Sequence, residues 1–384
     1  MRKIAVLFGG RSLEHDVSIL TGVQVCQVMD ATKYIPVPVY VDKSGVWRTG
    51  DVLMDMRSYP LVRRLAEVEL RLGGDPGLFE RGFFGAGRMG VDAAFLAFHG
   101  GAGESGLVQG ALDIAGIPYA GMGPLGSGVS MDKVATKRFC RDLGINVLSE
   151  VVLARPDSDF VDIASITKGL GIRFPALVKP VHLGSSIGVR RADNADALGA
   201  ALLDAWVIDD LVMVEPFVEN LVEYNVAVMR SGGATVTSAI ESPSGGGGVL
   251  SFGDKYLSKD GGKKKGLSSS AMPLDELVNS RREFNPSITA AQEKFIRSSA
   301  VRLYEALGAR GSPRIDYLCD KGTGEVWLNE VNPIPGSIAF YLWEKSEHKI
   351  SYSKLVSILI EEALAGFSAA RAIDLAASGA EIFK

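Results

Sequence analysis

The chain has 384 residues, 47% hydrophobic and 22% charged, which suits a globular protein of two or three domains. Its net charge of −4 argues against a general affinity for nucleic acid, and no apolar run reaches the length that spans a bilayer. The start, MRKIAVLFGG, reads as a first strand rather than a signal peptide, so we expect a cytoplasmic protein. Cys26, Cys140 and Cys319 lie far apart, and we expect each to be a buried apolar residue.

A strand followed by glycines and then a helix occurs twice in the first part of the chain. The apolar run Lys3–Phe8 leads through Gly-Gly into a predicted helix at Glu14–Met29, and Val91–Phe98 leads into a glycine-rich segment that carries His99 and Glu104. Since open α/β sheets bind ligands at the carboxyl ends of their strands, the repetition predicts one shared crevice. The alternative for His99 is a hydrogen-bonded loop histidine, and Gly-Gly alone does not make a dinucleotide site.

The segment between these two units is harder to interpret. Tyr34–Val41 has the pattern of a second strand, and its two prolines, Pro36 and Pro38, predict that it lies at a sheet edge. Residues 51–90 are mixed and glycine-rich, and they support no ordered prediction.

The middle of the chain carries lysines next to small residues. We predict a helix at Met131–Leu143, which contains Lys133, and a strand at Phe174–Lys179, which runs into Gly184-Ser185-Ser186. Small residues allow a backbone to approach a polyphosphate, and Lys179 at the strand end can reach its oxygens. The alternative is a flexible hairpin loop, but the lysine favours phosphate binding.

Two acidic residues and a long loop follow. The apolar strand Leu211–Val214 leads to Glu215, and a strand at Glu219–Met229 carries Glu223. Such carboxylates can accept hydrogen bonds from an adenine amino group or ribose hydroxyls, although exposed carboxylates are the simpler interpretation. The glycine-rich segment from about residue 242 to 267 is too long for a hairpin loop, which favours a lid with Lys255 and Tyr256 in its middle.

The segment Arg314–Gly336 predicts a hairpin that collects oxygen ligands. Asp316 lies near the start of its first strand, and Glu330 and Asn332 share one face of the second. Two carboxylates and an amide suit Mg²⁺, and Arg314 can meet an anion on the same face. The alternative is an ordinary hairpin with a solvated acidic face. Helices are predicted at Thr289–Leu307, under the hairpin, and at Ser351–Ala365, with only weak helix after that.

Several motifs in a fixed order carry a resemblance to a known family. They are FGGRSLEHDVS, HGGAGESGLVQGALDIAGIPYAG, SMDKVATK, FPALVKPVHLGSSIGV, DKYLS, RIDYL and LNEVNPIPG. From about Lys3 to Ala365 the chain resembles the D-alanine–D-alanine ligases of the ATP-grasp superfamily. The resemblance implies an α/β fold of three domains: an N-terminal parallel-sheet domain at 1–128 and two α+β domains, 129–214 and 215–384, with ATP between them. The last domain would contain the lid, 242–267, and the metal-binding hairpin, 314–336.

The resemblance also implies roles for individual residues. The expected ATP-binding residues are Lys133, Lys179, Ser186, Glu215 and Glu223. The expected ligands of two Mg²⁺ ions, or of Mn²⁺, are Asp316, Glu330 and Asn332. The expected catalytic residues are Glu14, Ser185, Tyr256, Arg314 and the backbone of Gly336, and the expected substrate-binding residues are His99, Lys255, Tyr341 and Leu342.

The implied reaction phosphorylates the carboxylate of D-alanine with ATP and joins it to the amine of a second D-alanine, for peptidoglycan precursor synthesis. The expected partners are therefore small amino acids, and a homodimer is expected by analogy. Two positions depart from the family pattern. Ser105 stands where Asp or Asn is usual, and Tyr341 replaces a serine that helps to hold the carboxylate of the second substrate. A related ligase with a different second substrate is therefore the alternative.

Overall fold

The computed structural model describes residues 1–157, 162–243 and 282–377, and these residues form three β-sheets. The predicted lid residues Lys255 and Tyr256 lie outside the described residues. Among the described helices, none is both long and apolar enough to cross a membrane. The three cysteines are buried, as predicted.

The first sheet has eight strands and is parallel only in part. Its strand order is β6-β5-β4-β3-β2-β1-β7-β8, and the pairs β2-β1, β1-β7 and β7-β8 are parallel. The other four pairs are antiparallel, and this extension comes largely from residues 51–90, for which the sequence supported no prediction. The strands are β1 (Arg2–Gly9), β2 (Tyr34–Val41), β3 (Trp47–Thr49), β4 (Ala66–Arg71), β5 (Gly77–Gly82), β6 (Gly85–Arg88), β7 (Ala93–Leu96) and β8 (Tyr119–Ala120).

Strand β2 is internal to the sheet, so the prediction that it lies at an edge was wrong. It pairs along its whole length with β1, and only Val39–Val41 pair with β3. Pro36 and Pro38 therefore precede the part of the strand that has neighbours on both sides. A proline, which lacks an N–H donor, is tolerated there because no second ladder begins until Val39.

Two helices connect the parallel strands, α1 (His15–Val28) and α2 (Leu107–Ile114). Both follow a glycine-rich turn after a strand, as the sequence predicted. Helix α1 is buried along much of its length, and Val23 and Val25 are almost inaccessible in the core of the first sheet.

The second sheet has four antiparallel strands in the order β11-β10-β12-β9. The strands are β9 (Val151–Ala154), β10 (Ala176–Pro180), β11 (Arg190–Ala192) and β12 (Leu211–Pro216), and the helices of this region are α3 (Pro124–Met131), α4 (Lys133–Asp142), α5 (Ile163–Thr167) and α6 (Ala195–Trp206). The helix predicted at Met131–Leu143 begins later, at Lys133, because Asp132 caps it. The Asp132 side chain accepts a hydrogen bond from the Ala135 N–H at 2.8 Å.

The third sheet has five strands in the order β15-β14-β13-β16-β17. They are β13 (Leu221–Ser231), β14 (Ala234–Pro243), β15 (Arg282–Phe284), β16 (Arg314–Asp320) and β17 (Val326–Asn332). Helix α7 (Ala290–Ala306) lies between β15 and β16 in the chain, and α8 (Phe340–Glu344) and α9 (Tyr352–Ala377) follow β17. Helix α7 confirms the helix predicted at Thr289–Leu307, and Thr289 forms a capping box with Gln292. Helix α9 is longer than predicted, and its buried residues pack in the core of the first sheet.

The two faces of the third sheet differ in chemistry. One face packs on α7 in an apolar core that includes Tyr224, Val226, Ile315, Tyr317, Val331, Ile296 and Leu303. On the other face Asp316 lies opposite Glu330 on one side and Asn225 on the other, and Asn225 lies opposite Glu241. Because directly opposed residues share a face, this second face carries a row of polar side chains across the sheet. We call it the polar face.

The chain leaves β17 through a turn with unusual backbone geometry. Ser337, Ile338 and Ala339 all have positive φ, from 48° to 55°. Residues other than glycine seldom adopt this left-handed conformation. The turn leads directly into α8, whose residues Phe340 and Trp343 are buried in the core of the first sheet.

Candidate active site

A β-bulge shapes the metal-binding hairpin predicted from the sequence. Asp316 pairs with Glu330 and Tyr317 pairs with Leu328, so Asn329 is an extra residue between two ladder positions. As a result, Asn329 and Glu330 both line a cleft between the second and third sheets, although strict alternation would place them on opposite faces. We call this cavity the inter-sheet cleft.

The inter-sheet cleft collects side chains from distant parts of the chain. All five residues expected to bind ATP line it, namely Lys133, Lys179, Ser186, Glu215 and Glu223, together with Asp316 and Glu330 of the hairpin. Apolar side chains, including Leu177, Phe217 and Leu318, complete the lining. The cleft thus has a polar end at the hairpin and an apolar region that suits a flat ring.

A buried ion cluster fixes one wall of this cleft. Lys179 Nζ lies 2.6 Å from Glu215 Oε2 and donates a hydrogen bond to Asn329 Oδ1 at 3.1 Å. The other Glu215 oxygen pairs with Lys137, and the Lys137 and Glu215 side chains are each only 1% exposed. Burial opposes charge on Glu215, but Lys179 and Lys137 outweigh it and lower the pKa of this carboxyl. Burial lowers the pKa of Lys137.

A second cavity adjoins the cleft, and Lys133 and Glu330 line both. It lies where the first sheet meets the hairpin, and we call it the adjoining cavity. Its lining includes Glu14, His99, Glu104, Ser185, Arg314, Asn332 and Gly336. Every described residue with an expected catalytic role therefore lines this one cavity.

The adjoining cavity depends on the close approach of two loops to Glu14. The Ser185 hydroxyl donates a hydrogen bond to Glu14 Oε1, which joins the loop after β10 to the start of α1. A Cβ atom at Gly100 would lie 2.9 Å from Glu14 Oε2, and one at Gly184 would lie 3.1 Å from the same oxygen. Position 100 requires glycine for two reasons: a side chain would collide with Glu14, and the φ of +67° is unfavourable for other residues.

His99 and Glu104 tie the first sheet to the loop after β17. Glu104 accepts hydrogen bonds from the Gly100 N–H at 2.6 Å and the Ile334 N–H at 3.1 Å. Burial and the neighbouring charge of Glu14 nevertheless raise the pKa of Glu104 to about 8. His99 Nε2 lies 2.8 Å from the Thr21 hydroxyl, and burial lowers the pKa of His99 to about 4, so its ring is neutral near pH 7.

The hairpin carboxylates lie beside basic side chains. Arg314 donates two hydrogen bonds to Asp316, each at 2.7 Å, and Asn332 Nδ2 donates to Asp316 Oδ2 at 3.0 Å. Glu330 lies 3.6 Å from Lys133 Nζ. Asp316 is buried, so the alternative of a solvated acidic face does not apply to it.

These residues can be tested as a magnesium site by the chemistry of their donors. Asp316, Glu330 and Asn332 offer only oxygen ligands, which is the preference of Mg²⁺. In the part of the chain that the structure describes, no group of three or more His, Cys, Asp or Glu side chains is placed to hold a metal. The two carboxylates and the amide fit a cation that takes its remaining ligands from phosphate and water.

Not every predicted site residue lies at these cavities. Tyr341 and Leu342 are buried in the core of the first sheet, and neither lines the inter-sheet cleft or the adjoining cavity as the described residues define them. Ser105 lies in the loop before α2, where its N–H donates to the Gly101 carbonyl, and it lines neither cavity.

Sequence reasoning missed Asn329 and gave Glu104 no specific role. Asn329 carries no signal in a strand pattern, because a bulge cannot be read from alternation. Glu104 was placed at the crevice by its position after a strand, but its contact with Ile334 joins residues 230 positions apart.

Comparisons with known proteins identify the family of this chain. The family model described as D-ala D-ala ligase N-terminus matches residues 3–122, and the model described as D-ala D-ala ligase C-terminus matches residues 139–361. A curated relative, D-alanine--D-alanine ligase A of Bradyrhizobium diazoefficiens, is 33% identical over 376 residues, which cover 94% of this chain and 95% of the relative.

Solved structures give the same result. The D-alanine-D-alanine ligase of Coxiella burnetii superposes with a TM-score of 0.78 over 99% of this chain and 100% of its own, and at 23% identity it supports the fold alone. The VanG D-Ala:D-Ser ligase of Enterococcus faecalis is 26% identical, with a TM-score of 0.74 over 95% of this chain and 98% of its own. The predicted ATP-grasp fold is confirmed, and the chain belongs to the D-alanine–D-alanine ligase family.

Proposed function

We propose that this protein is an ATP-dependent ligase that joins two molecules of D-alanine and releases ADP and phosphate, as a step in peptidoglycan precursor synthesis. One observation carries the proposal: the inter-sheet cleft and the adjoining cavity meet at Lys133 and Glu330. A nucleotide in the cleft would therefore present its terminal phosphate to an amino acid in the cavity.

The reaction begins with activation of a carboxylate, which is a poor electrophile at neutral pH. Transfer of the ATP γ-phosphoryl group to the D-alanine carboxylate gives an acyl phosphate, whose phosphate is a good leaving group. Lys133 and Lys179 hold positive charge against the phosphates. Asp316, Glu330 and Asn332 would hold Mg²⁺, which offsets negative charge on the phosphoryl group when it is bound.

Residues of the adjoining cavity then orient the first amino acid. Glu14 supplies negative charge for its ammonium group, while the neutral His99 keeps the loop after β17 in place through Thr21 and Ile334. The amine of the second amino acid attacks the acyl carbon, and phosphate leaves. Arg314 stabilises the oxyanion of the tetrahedral intermediate together with the backbone N–H of Gly336.

One observation favours an alternative for the second amino acid. Tyr341 replaces the family's serine and is buried with its hydroxyl towards Glu241, so it does not offer a serine-like hydroxyl to a substrate. The VanG protein of Enterococcus faecalis is a D-Ala:D-Ser ligase, so the same fold serves ligases with different second substrates. The second candidate function is therefore ligation of D-alanine to another small amino acid.

A substrate panel tests both candidates. Purified protein is supplied with ATP, Mg²⁺ and D-alanine, alone or with D-serine, glycine or L-alanine, and both phosphate release and the dipeptides are measured. D-Alanyl-D-alanine as the main product supports the first candidate. A mixed dipeptide as the main product supports the second, and nucleotide binding without any phosphate release would reject both.

The expected quaternary structure and location are further proposals. By family analogy we propose a homodimer in the cytoplasm, with small amino acids as the molecules that it binds. Analytical ultracentrifugation of the purified chain would test the dimer.

A further inference from the structure

A half-buried arginine, Arg282, lies on the polar face beside Tyr341. Arg282 opens β15 and lies opposite Pro243 of β14, while Phe284 lies opposite Glu241. Arg282 and Phe284 are two positions apart, so both share the face of Glu241. Arg282 Nη1 lies 2.9 Å from Glu241 Oε2 and 3.2 Å from Oε1, and Glu241 is fully buried.

Tyr341 supports this arginine from the other side. The guanidinium carbon of Arg282 lies 4.2 Å from the centre of the Tyr341 ring, in the range of a cation–π contact. The Tyr341 hydroxyl lies 3.5 Å from Glu241 Oε1. Tyr341 and Glu241 thus fix both the plane and the position of the guanidinium group. The residue that departs from the family pattern is therefore a platform for a cation.

Within the described part of the chain, the arginine has donors in excess of these contacts. A guanidinium group has five N–H donors, and its contacts with Glu241 and Tyr341 account for about three of them. Glu241 also accepts a hydrogen bond from Asn225 Nδ2 at 3.1 Å, so its charge is shared. A planar, oriented guanidinium with donors to spare is suited to a carboxylate, which it can bind through two parallel hydrogen bonds.

The position of Arg282 relates it to the reacting centre. The row Glu241, Asn225 and Asp316 crosses three adjacent strands in register. Arg282 lies beside this row, opposite Pro243, and its side chain reaches the row at Glu241. Glu241 on β14 and Asp316 on β16 are two inter-strand spacings apart, or about 10 Å between their backbones, and Arg282 and Arg314 bond these two carboxylates. Burial raises the pKa of Tyr341, while the charges of Arg282 and Arg314 act to lower it.

We infer that Arg282 receives the carboxylate of the amine-donating amino acid, and that Glu241 and Tyr341 position it for this task. An amino acid between the two arginines would direct its amine to the acyl carbon beside Arg314 and its carboxylate to Arg282. The attachment keeps a negatively charged group away from the phosphates. Arg282 would also take over the role of the family's serine, since its guanidinium lies over the ring of the tyrosine that stands at the serine position. This inference rests on the proposed ligase function.

A competition between two nucleophiles tests the role directly. The protein is supplied with ATP, Mg²⁺, D-alanine and D-alaninamide, which lacks the carboxylate, and the ratio of D-alanyl-D-alanine to D-alanyl-D-alaninamide is measured by mass spectrometry. We expect the wild type to favour D-alanine, and we expect Arg282→Gln to lower the ratio by about tenfold to a hundredfold, as for the loss of a charged hydrogen bond. Since both products form in one tube, a general loss of activity does not change the ratio.

Two further variants make the result decisive. Arg297→Gln is the matched control: Arg297 bonds Thr237 and the Ser238 carbonyl of the neighbouring strand β14, each at 2.8 Å, but from the side of α7. Its ratio should equal that of the wild type. Arg282→Lys retains the charge without the planar fork, should give an intermediate ratio, and serves in place of Arg282→Gln if that variant does not fold.

The outcomes separate this inference from the proposed function. A ratio that is the same in the wild type and the Arg282 variants would overturn the role of Arg282 while leaving the ligase activity in place. If the wild type uses another amino acid as its nucleophile, the same ratio is measured with that amino acid and its amide. A wild type that forms no product with any amino acid would overturn both proposals.

Discussion

The ion cluster around Glu215 gives a prediction that can be worked out from the structure. Glu215→Gln keeps the shape of the side chain but removes a carboxylate that pairs with both Lys137 and Lys179. The Lys137 side chain is 1% exposed and that of Lys179 is 8% exposed, so solvent cannot replace the lost charge. We therefore expect two buried ammonium groups that repel each other across a neutral amide.

The expected magnitude follows from the partners that stay. Removal of one member of a buried ion pair costs about 3–5 kcal/mol, because the other charge is left uncompensated. Lys137 retains a hydrogen bond to the Leu148 carbonyl at 2.8 Å and a longer contact of 3.9 Å with Glu150. We therefore expect a loss near the lower end, about 3 kcal/mol of unfolding free energy at pH 7.

The pH dependence of the stability loss gives a second test of this prediction. Burial already lowers the pKa of Lys137 from its ordinary value of 10.5, and loss of the Glu215 charge would lower it further. The unfolded chain then binds more protons than the folded one, so the stability of the variant rises with pH. The deficit relative to the wild type should therefore shrink between pH 7 and pH 10.

Urea unfolding followed by tryptophan fluorescence measures both quantities, since Trp206 is buried in the core of the second sheet. Glu293→Gln is a matched control: Glu293 pairs with Arg297 at 2.9 Å but is 49% exposed, so its loss should cost less than about 1 kcal/mol. A Glu215→Gln protein that loses no more stability than this control, or whose deficit grows with pH, would refute the reasoning.

Three further predictions concern the cavities. Asn329→Leu removes a hydrogen-bond acceptor of Lys179 and should raise the KM for ATP about tenfold to a hundredfold in steady-state kinetics. The control is Asn146→Leu, which should leave this KM unchanged, because Asn146 is exposed and only its backbone carbonyl bonds β17. Asp316→Asn should lower turnover at least about a hundredfold with an unchanged circular dichroism spectrum. The variant loses one carboxylate oxygen of the proposed metal site and one of the two acceptors of the Arg314 guanidinium. Because the folded pKa of Glu104 is about 8, above its ordinary 4.5, its contribution to stability is present below pH 4.5 and is lost as the pH rises through 8. Glu104→Gln should flatten that part of a plot of thermal midpoint against pH; an equal slope in both proteins would contradict the assignment.

Much of the site could be predicted because its residues stand in local patterns. The strand pattern with a two-residue period placed Glu330 and Asn332 on one face, and the structure has both on the polar face with Asp316. Lys179 could be placed because it ends a strand that runs into a glycine and two serines. The division of the chain at residues 128 and 214 stays a prediction, since helix α9 returns to the first sheet.

The parts that could not be predicted depend on contacts between distant residues. Strands β5 and β6 contain glycines, which weaken a strand pattern, and β4, β5 and β6 extend the sheet outward from β3 through pairings that the sequence does not reveal. The prolines of β2 suggest an edge strand, but the pairing of Val39–Val41 with β3, which the sequence does not reveal, makes β2 internal. Arg282 stands in no motif, and its proposed role depends on the pairing of β15 with β14, which brings its side chain to Glu241.

The left-handed turn at Ser337–Ala339 has a consequence for protein engineering. Each such residue costs about 1–2 kcal/mol, so an isolated peptide of this sequence would not adopt the turn. Its shape must be imposed by the burial of Phe340 and Trp343, which follow it directly. A chimera that transplants this loop into a homologous protein should therefore include both aromatic residues, because without them the turn will adopt a different backbone conformation.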